Sequence, residues 1–341
     1  LPCPALLLHA FLLCIFVPSN LLSQEFGKIN GVSFVGGANE VTTSHMEPIE
    51  DLESNFLALM PFAYGNTGQA SLSFHDLDWQ YWGENIGGVK TTAILAKQRG
   101  IECMIKPHVW LDRGSFTGHF ELKTEEEWKT FEADYTNYIL PFAMLSEELN
   151  LPMFCIGTEL CKFTELRPNY WLNLIKEIRK VYSGKLTYAA NWDSYQKMGF
   201  WNKLDYIGID AYFPLCDMQT PSVKDCQKAW EKHSKTLRSY SRSFNKQILF
   251  TEWGYRSADY CAREPWNYDD DFAFNAEAQA NCIAATFNQF WMEDWFAGGF
   301  IWKWFPNHKN SGKGMNNNFT PQNKPAQEVI KEWFNATNSD D

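Results

Sequence analysis

The 341-residue chain predicts a single-domain (β/α)8 TIM barrel of the α/β class, on three observations. Short apolar runs alternate with longer amphipathic segments along the whole sequence, and such alternation gives parallel strands joined by right-handed crossovers. The strand-like runs are apolar nearly throughout rather than at every second residue, as a parallel sheet covered by helices requires. Polar, titratable and aromatic residues gather where those runs end, and a barrel of this kind carries its chemistry there.

In chain order the strand-like runs are Val32–Val35, Phe56–Phe62, Ile101–Val109, Met153–Gly157, Leu186–Ala190, Tyr206–Asp210, Ile248–Thr251 and Gly299–Trp302. Helical patterns cover Asn85–Arg99, Glu125–Leu149, Tyr170–Tyr182, Asp225–Ser243 and Asp270–Trp295, and Ala326–Phe334 closes the chain. The first connection, Glu47–Asn55, has room for only a brief helix. An open doubly wound sheet would call for a phosphate-binding turn after its first strand. GVSFVGGANE carries Gly36 and Gly37 but no G-x-G-x-x-G, so the barrel is preferred. No repeat or linker marks a second domain. Residues 25–334 therefore read as one domain and residues 335–341 as a polar tail.

Composition narrows the function. The formal net charge of −11, with no basic run, argues against nucleic acid or an anionic membrane as partner. Aromatic residues make up 16%, with 15 Trp, a density that supplies both core and flat platforms on which sugar rings stack. Residues 1–24 contain no charge, and Ala5–Val17 is almost wholly apolar. That stretch is too short to span a bilayer and reads as the core of a signal peptide, removed near Ser23 or Gln24. A secreted or periplasmic protein is expected, with Cys14 leaving a lipid anchor open. Beyond the leader no segment reaches membrane-spanning length, and a monomer is expected.

Of nine Cys, seven lie beyond the leader, an odd number that leaves at least one thiol free. Cys103 and Cys155 sit in apolar runs and read as buried small hydrophobes. Cys216 and Cys226 flank a Pro-containing loop and could pair. No Cys or His spacing suggests a metal, and no cofactor is called for.

The strand ends carry the chemistry. The third ends in Lys106-Pro107-His108-Val109-Trp110, the fourth in Gly157-Thr158-Glu159, and the fifth in Asn191-Trp192-Asp193. The sixth ends in Asp210-Ala211-Tyr212, the seventh in Thr251-Glu252-Trp253, and the eighth in Trp302-Lys303-Trp304. Glu159 and Glu252 are 93 residues apart, or three β/α units of roughly 30 residues each. Strands four and seven face each other across a barrel mouth. Two carboxylates converging there suit glycosidic cleavage: one protonates the leaving oxygen, the other attacks the anomeric carbon or activates water against it. Structural pairing with Lys or Arg is the competing reading. It explains one such Glu well, and two ending apolar strands beside aromatics poorly.

The stretches GVSFVGG, FCIGTEL around Glu159, DYIGIDAYFPL and ILFTEWGYR resemble glycoside hydrolase family 113, the β-mannanases, within the clan A retaining hydrolases. The resemblance runs from about Gly31 to Phe334. It implies that Glu159 is the general acid/base, that Glu252 is the nucleophile, and that Trp302 is the sugar platform beside the cleavage point. Most clan members carry Asn before the acid/base; here it is Thr158, which fits family 113 and leaves open how the sugar 2-hydroxyl is held.

Among supporting residues, Tyr212 would hydrogen-bond Glu252 and hold it ionised, and Glu159 would need a raised pKa, partly from the neighbouring carboxylate, to carry a proton. His108 and Lys106 could hydrogen-bond sugar hydroxyls, with Trp110 beside them. Asn191, Trp192 and Asp193 are subsite contacts by position. Trp304 reads either as a second platform or as core, Trp253 and Tyr255 either shape the cleft or pack, and Asp210 either supports the site or is structural. The loops Gly65–Trp82 and Tyr260–Asp271 are the expected cleft walls. The expected activity is retaining hydrolysis of β-1,4-linked mannan, as an oligo- or polysaccharide. The alternatives are the same machinery on xylan, glucan or galactan, or a non-catalytic carbohydrate-binding barrel.

Overall fold

The computed structural model describes residues 27–75, 77–112, 115–268 and 271–338. The expected leader and the last three residues of the expected tail lie outside them. Eight parallel strands close a barrel: β1 (Ile29–Phe34), β2 (Phe56–Leu59), β3 (Glu102–Ile105), β4 (Met153–Thr158), β5 (Lys185–Asn191), β6 (Ile207–Asp210), β7 (Ile248–Trp253) and β8 (Phe296–Trp304). Each pairs with the next in sequence, and β8 returns to β1. β2 and β3 stop short of their expected ends. Pro61 and Pro107 lack the N–H that a ladder needs; beyond them Phe62–Tyr64 and His108–Trp110 pair with each other in a separate ribbon.

Helix ends follow their caps. Thr124 with Glu127, and Ser222 with Asp225, form reciprocal capping boxes that start Glu125–Glu148 and Val223–Phe244. Asn275 accepts from the Ala278 N–H, so the helix expected from Asp270 begins at Ala276 and ends at Phe290. Pro168 starts Pro168–Val181, and a six-residue helix, Cys161–Leu166, precedes it. The closing helix, Pro325–Asn338, takes in residues 335–338 of the expected tail. Among the described residues no helix is long and apolar enough to cross a membrane. The seven described Cys are all free thiols, including Cys216 and Cys226.

Two apolar layers hold the barrel. The larger lies between strands and helices. The smaller fills the inside of the ring, with Phe56, Met104, Met153, Leu249 and Phe300 as its bulk. Phe300 meets Phe56 edge to face at 6.2 Å, and a Cβ on Gly31 would lie 2.5 Å from the Phe300 ring. Only glycine on β1 leaves room for that plug. Above it the interior turns polar, because Lys106, Asp210 and Thr251 are fully buried.

Register slips once at the foot of the barrel, where β8 gains one residue on β7 between Phe296 and Gly298, and breaks again near the mouth. From Cys155 to Thr158, β4 advances three residues against two on β5. β7 gains one residue on β6 between Phe250 and Glu252. β8 gains one on β1 between Ile301 and Trp304. Each is an extra residue of the kind that re-aims side chains beside active sites.

Candidate active site

The bulge in β7 turns two successive residues inward. Thr251 donates to Asp210 Oδ1 at 2.8 Å, while Glu252, at the rim, accepts on both oxygens. Lys106 Nζ donates to its Oε1, and Tyr212 OH donates to its Oε2 at 2.8 Å. Lys106 also lies 3.4 Å from Asp210 Oδ1. Burial alone would lower the Lys106 ammonium, but the Asp210 and Glu252 carboxylates outweigh it and hold the group raised. Burial raises Asp210, the Glu252 charge adds to the rise, and its Oδ2 has no hydrogen-bond partner among the described residues. One buried cation thus joins two carboxylates. Removing one member of such a cluster costs about 3–5 kcal/mol, since an uncompensated buried charge remains.

Glu159 follows the bulge in β4 and adopts φ 51°, a left-handed conformation that non-glycine residues rarely hold and that gathers at functional sites. Its N–H donates to the Ala189 carbonyl at 2.8 Å, fixing the side chain at the mouth between β4 and β5. Thr158 bonds the Pro107 carbonyl at 3.1 Å and so ties β4 to the end of β3. Among the described residues no side chain donates to the Glu159 carboxyl. Burial, Asp210 and Glu252, in that order, push it well above the ordinary carboxyl range. It is placed to carry a proton, which ion pairing would prevent.

Both glutamates open into one cleft of about 1040 Å³. His108 lies on its wall, Nε2 3.7 Å from Glu252 Oε1 and without a hydrogen-bond partner among the described residues. Burial and the charges of Lys106 and Lys303 hold the imidazole well below its usual range, hence neutral. Trp302 stacks beside it at 6.3 Å, its indole N–H donating to Tyr268 at 3.3 Å. Further out, Trp192 stacks on Trp266 at 5.1 Å, and Trp79 meets Tyr64 at 4.6 Å. Among the described residues no group of His, Cys, Asp or Glu is arranged to hold a metal ion.

A sequence model of Glycoside Hydrolase Family 113 matches residues 37–324. The chain belongs to glycoside hydrolase family 113. It is a glycoside hydrolase, and its substrate is a carbohydrate. Among solved structures, the family 113 β-mannanase of Alicyclobacillus acidocaldarius, in complex with ManMIm, is 22% identical, with a TM-score of 0.79 covering 92% of this chain and 99% of that one. Two structures of family 113 β-1,4-mannanase, 23% and 24% identical, have TM-scores of 0.76 and 0.77 over 91% of this chain and 100% of theirs. A β-D-glucuronidase from Dictyoglomus thermophilum, 13% identical, has a TM-score of 0.62 over 91% of this chain and 50% of its own. At these identities the likeness establishes the fold. No curated protein matches the sequence.

In this family 113 hydrolase the cleft gathers most of the residues expected at it: Glu159, Glu252, Tyr212, His108, Trp110, Asn191, Trp192, Asp193 and Trp302. Asn191 Oδ1 is buried and has no hydrogen-bond partner among the described residues. Three expected sugar contacts are corrected. Lys106 is fully buried and spends its donors on Glu252 and Asp210. Trp253 alternates with Glu252 and packs behind β7 on Phe287 and Trp291. The β8 bulge turns Trp304 away from Trp302, into the core and onto His308. Tyr255 is likewise core, and Asp210 proves to be the buried partner of Lys106.

The cleft also holds residues not singled out from the sequence. Trp79, Tyr81, Trp266 and Tyr268 lie in the two loops expected as walls, where aromatic content was the available signal. Tyr64, bonded to the half-buried Glu84, had no such signal, whereas Lys303 stands at the end of the eighth strand-like run, where its place at the rim was the available signal.

Proposed function

We propose that the chain is a retaining β-1,4-mannanase working by double displacement. The observation that carries this reading is the contrast at the mouth: a glutamate with a raised pKa and no donor among the described side chains faces one that accepts from Lys106 and Tyr212. Glu159 donates its proton to the glycosidic oxygen as Glu252 attacks the anomeric carbon. The aglycone departs, leaving a glycosyl ester on Glu252. Esterification removes the Glu252 charge that helps keep Glu159 high. Glu159 then falls toward its ordinary range and serves as base, taking a proton from the water that hydrolyses the ester. His108, neutral and beside Glu252, and Asn191 are two polar groups of the cleft placed to meet sugar hydroxyls, and Trp302 is the platform.

Support for mannan comes from the family and from the neighbours named β-mannanase. Support for cleavage within a chain comes from two aromatic pairs on different loops, Tyr64 with Trp79 and Trp192 with Trp266, in one open cleft. Export is proposed on the charge-free apolar leader alone.

A reducing-sugar assay on mannan, xylan, cellulose and galactan tests the reading. Release from mannan, with oligosaccharides as first products and the β-anomer appearing first by NMR, is expected. Release from another glycan alone would remove the mannan assignment, and an α-anomer appearing first would remove double displacement. Binding without release from any of the four would leave a carbohydrate-binding barrel.

A further inference from the structure

Behind the cleft wall lies a buried cation to which the reaction gives no part. Lys324 directly precedes the closing helix and is 6% exposed. Its Nζ donates to Ser257 Oγ at 2.9 Å, to the Asn318 carbonyl at 3.0 Å and to the Thr320 carbonyl at 2.8 Å. All three acceptors are uncharged, and burial lowers the ammonium to about 7. An ammonium kept in such company is unfavourable, and an apolar side chain of the same length would fill the space without that penalty.

What the ammonium holds is Phe319, which lies between two of its acceptors. The Phe319 carbonyl itself accepts from Gln279 Nε2 at 2.8 Å, a fully buried amide in Ala276–Phe290 that also donates to the Tyr255 carbonyl at 2.9 Å. Ser257, in the loop after β7, donates to the Asn316 carbonyl at 2.8 Å. Residues 316–320 of the loop after β8 are thereby stitched to the loop after β7 and to the helix behind it. The Phe319 ring lines the cleft and packs on two phenols, Tyr212 at 6.0 Å and Tyr268 at 5.0 Å. Tyr212 donates to Glu252 Oε2, and Tyr268 accepts from the Trp302 indole. One ring therefore backs both the partner of the attacking carboxylate and the partner of the sugar platform.

We propose that Lys324 is a positioning residue for the hydrolysis: by fixing the backbone on both sides of Phe319 it holds that ring against Tyr212 and Tyr268, and through them keeps Glu252 aimed and Trp302 seated. The inference rests on the reading of Glu252 as nucleophile. Lys324 touches no reacting atom and acts only through this line of contacts, so its effect is on geometry. Small displacements at a reacting centre are enough to slow it 10²-fold.

The test compares the full chain with Lys324→Met, Phe319→Leu and the double variant. The substrate is the glycan that the wild type hydrolyses, at a temperature where each protein is folded by circular dichroism. Lys324→Met should lower kcat on the order of 10-fold to 100-fold, with KM moving much less. A merely structural lysine would lower the melting temperature and leave kcat per folded molecule as it was. The double variant should be no slower than the slower single one, because both changes break the same line of contacts. Wild-type kcat in folded Lys324→Met, or losses that multiply in the double variant, would overturn the proposal. Should Lys324→Met fail to fold, Ser257→Ala removes one acceptor and leaves the ammonium in place. It should slow kcat several-fold, but not when Phe319→Leu is already present, and an unchanged kcat would overturn the proposal equally. Glu252→Ala, run alongside, keeps the two readings apart. Hydrolysis surviving in that variant faults the nucleophile, whereas its loss beside a wild-type rate in Lys324→Met faults this inference alone.

Discussion

The ends of β4 and β7 present the same side chain in opposite company. Glu252 sits between a buried ammonium and a phenol, and both donate to it. Glu159 has no donor among the described side chains and faces two other carboxylates. Residue type is therefore silent about role at this site, and the neighbours decide it. Position along the strand is equally silent, since both glutamates follow a bulge near the mouth.

Breaking the β7 side of this comparison should have the largest effect. Glu252→Ala is expected to lower kcat on the order of 10⁴-fold or more, without loss of fold, and azide should restore turnover as a glycosyl azide detectable by mass spectrometry. Undiminished hydrolysis by that variant would remove Glu252 from the reaction. On the β4 side, Glu159→Gln should cost roughly 10²–10⁴-fold on glycans and much less on an aryl glycoside whose leaving group needs no proton. Equal losses on both substrates would deny Glu159 its acid role.

Asp210→Asn sharpens the comparison without touching either glutamate. Asp210 is the charge that most raises Glu159. A raised acid stays protonated past its ordinary range, and activity that needs the proton is lost as pH rises through the raised value. Removing the Asp210 charge should move the alkaline limb of the kcat/KM profile to lower pH, by about one unit, with the acid limb shifting less. An alkaline limb that stays put would separate Asp210 from Glu159. The smallest effect is expected at the cleft wall, where Trp110 is 56% exposed. Trp110→Ala should raise KM several-fold, with kcat and melting temperature nearly unchanged.

The barrel was legible because burial on both faces leaves long apolar runs, and the two glutamates because a charge ending such a run is conspicuous. What escaped was direction. Lys106 ends an apolar run at the rim and reads as a sugar contact, yet the carboxylates of Asp210 and Glu252 draw it inward. Two prolines cut β2 and β3 and make a ribbon that a continuous apolar run conceals. Trp302 and Trp304 share a face in a regular strand, but the extra residue in β8 separates them. Pairings between distant segments decide all three, and local pattern carries none of them.

The bulges have a consequence beyond aim. Between Phe250 and Trp253 the count of residues, as much as their kind, determines that Thr251 and Glu252 both face the interior. Deleting a single residue there would leave every chemical group of the site encoded and yet rotate the glutamate out of the mouth. The sequence at this point behaves like a reading frame: substitutions alter a word, while a change of length garbles the sentence that follows.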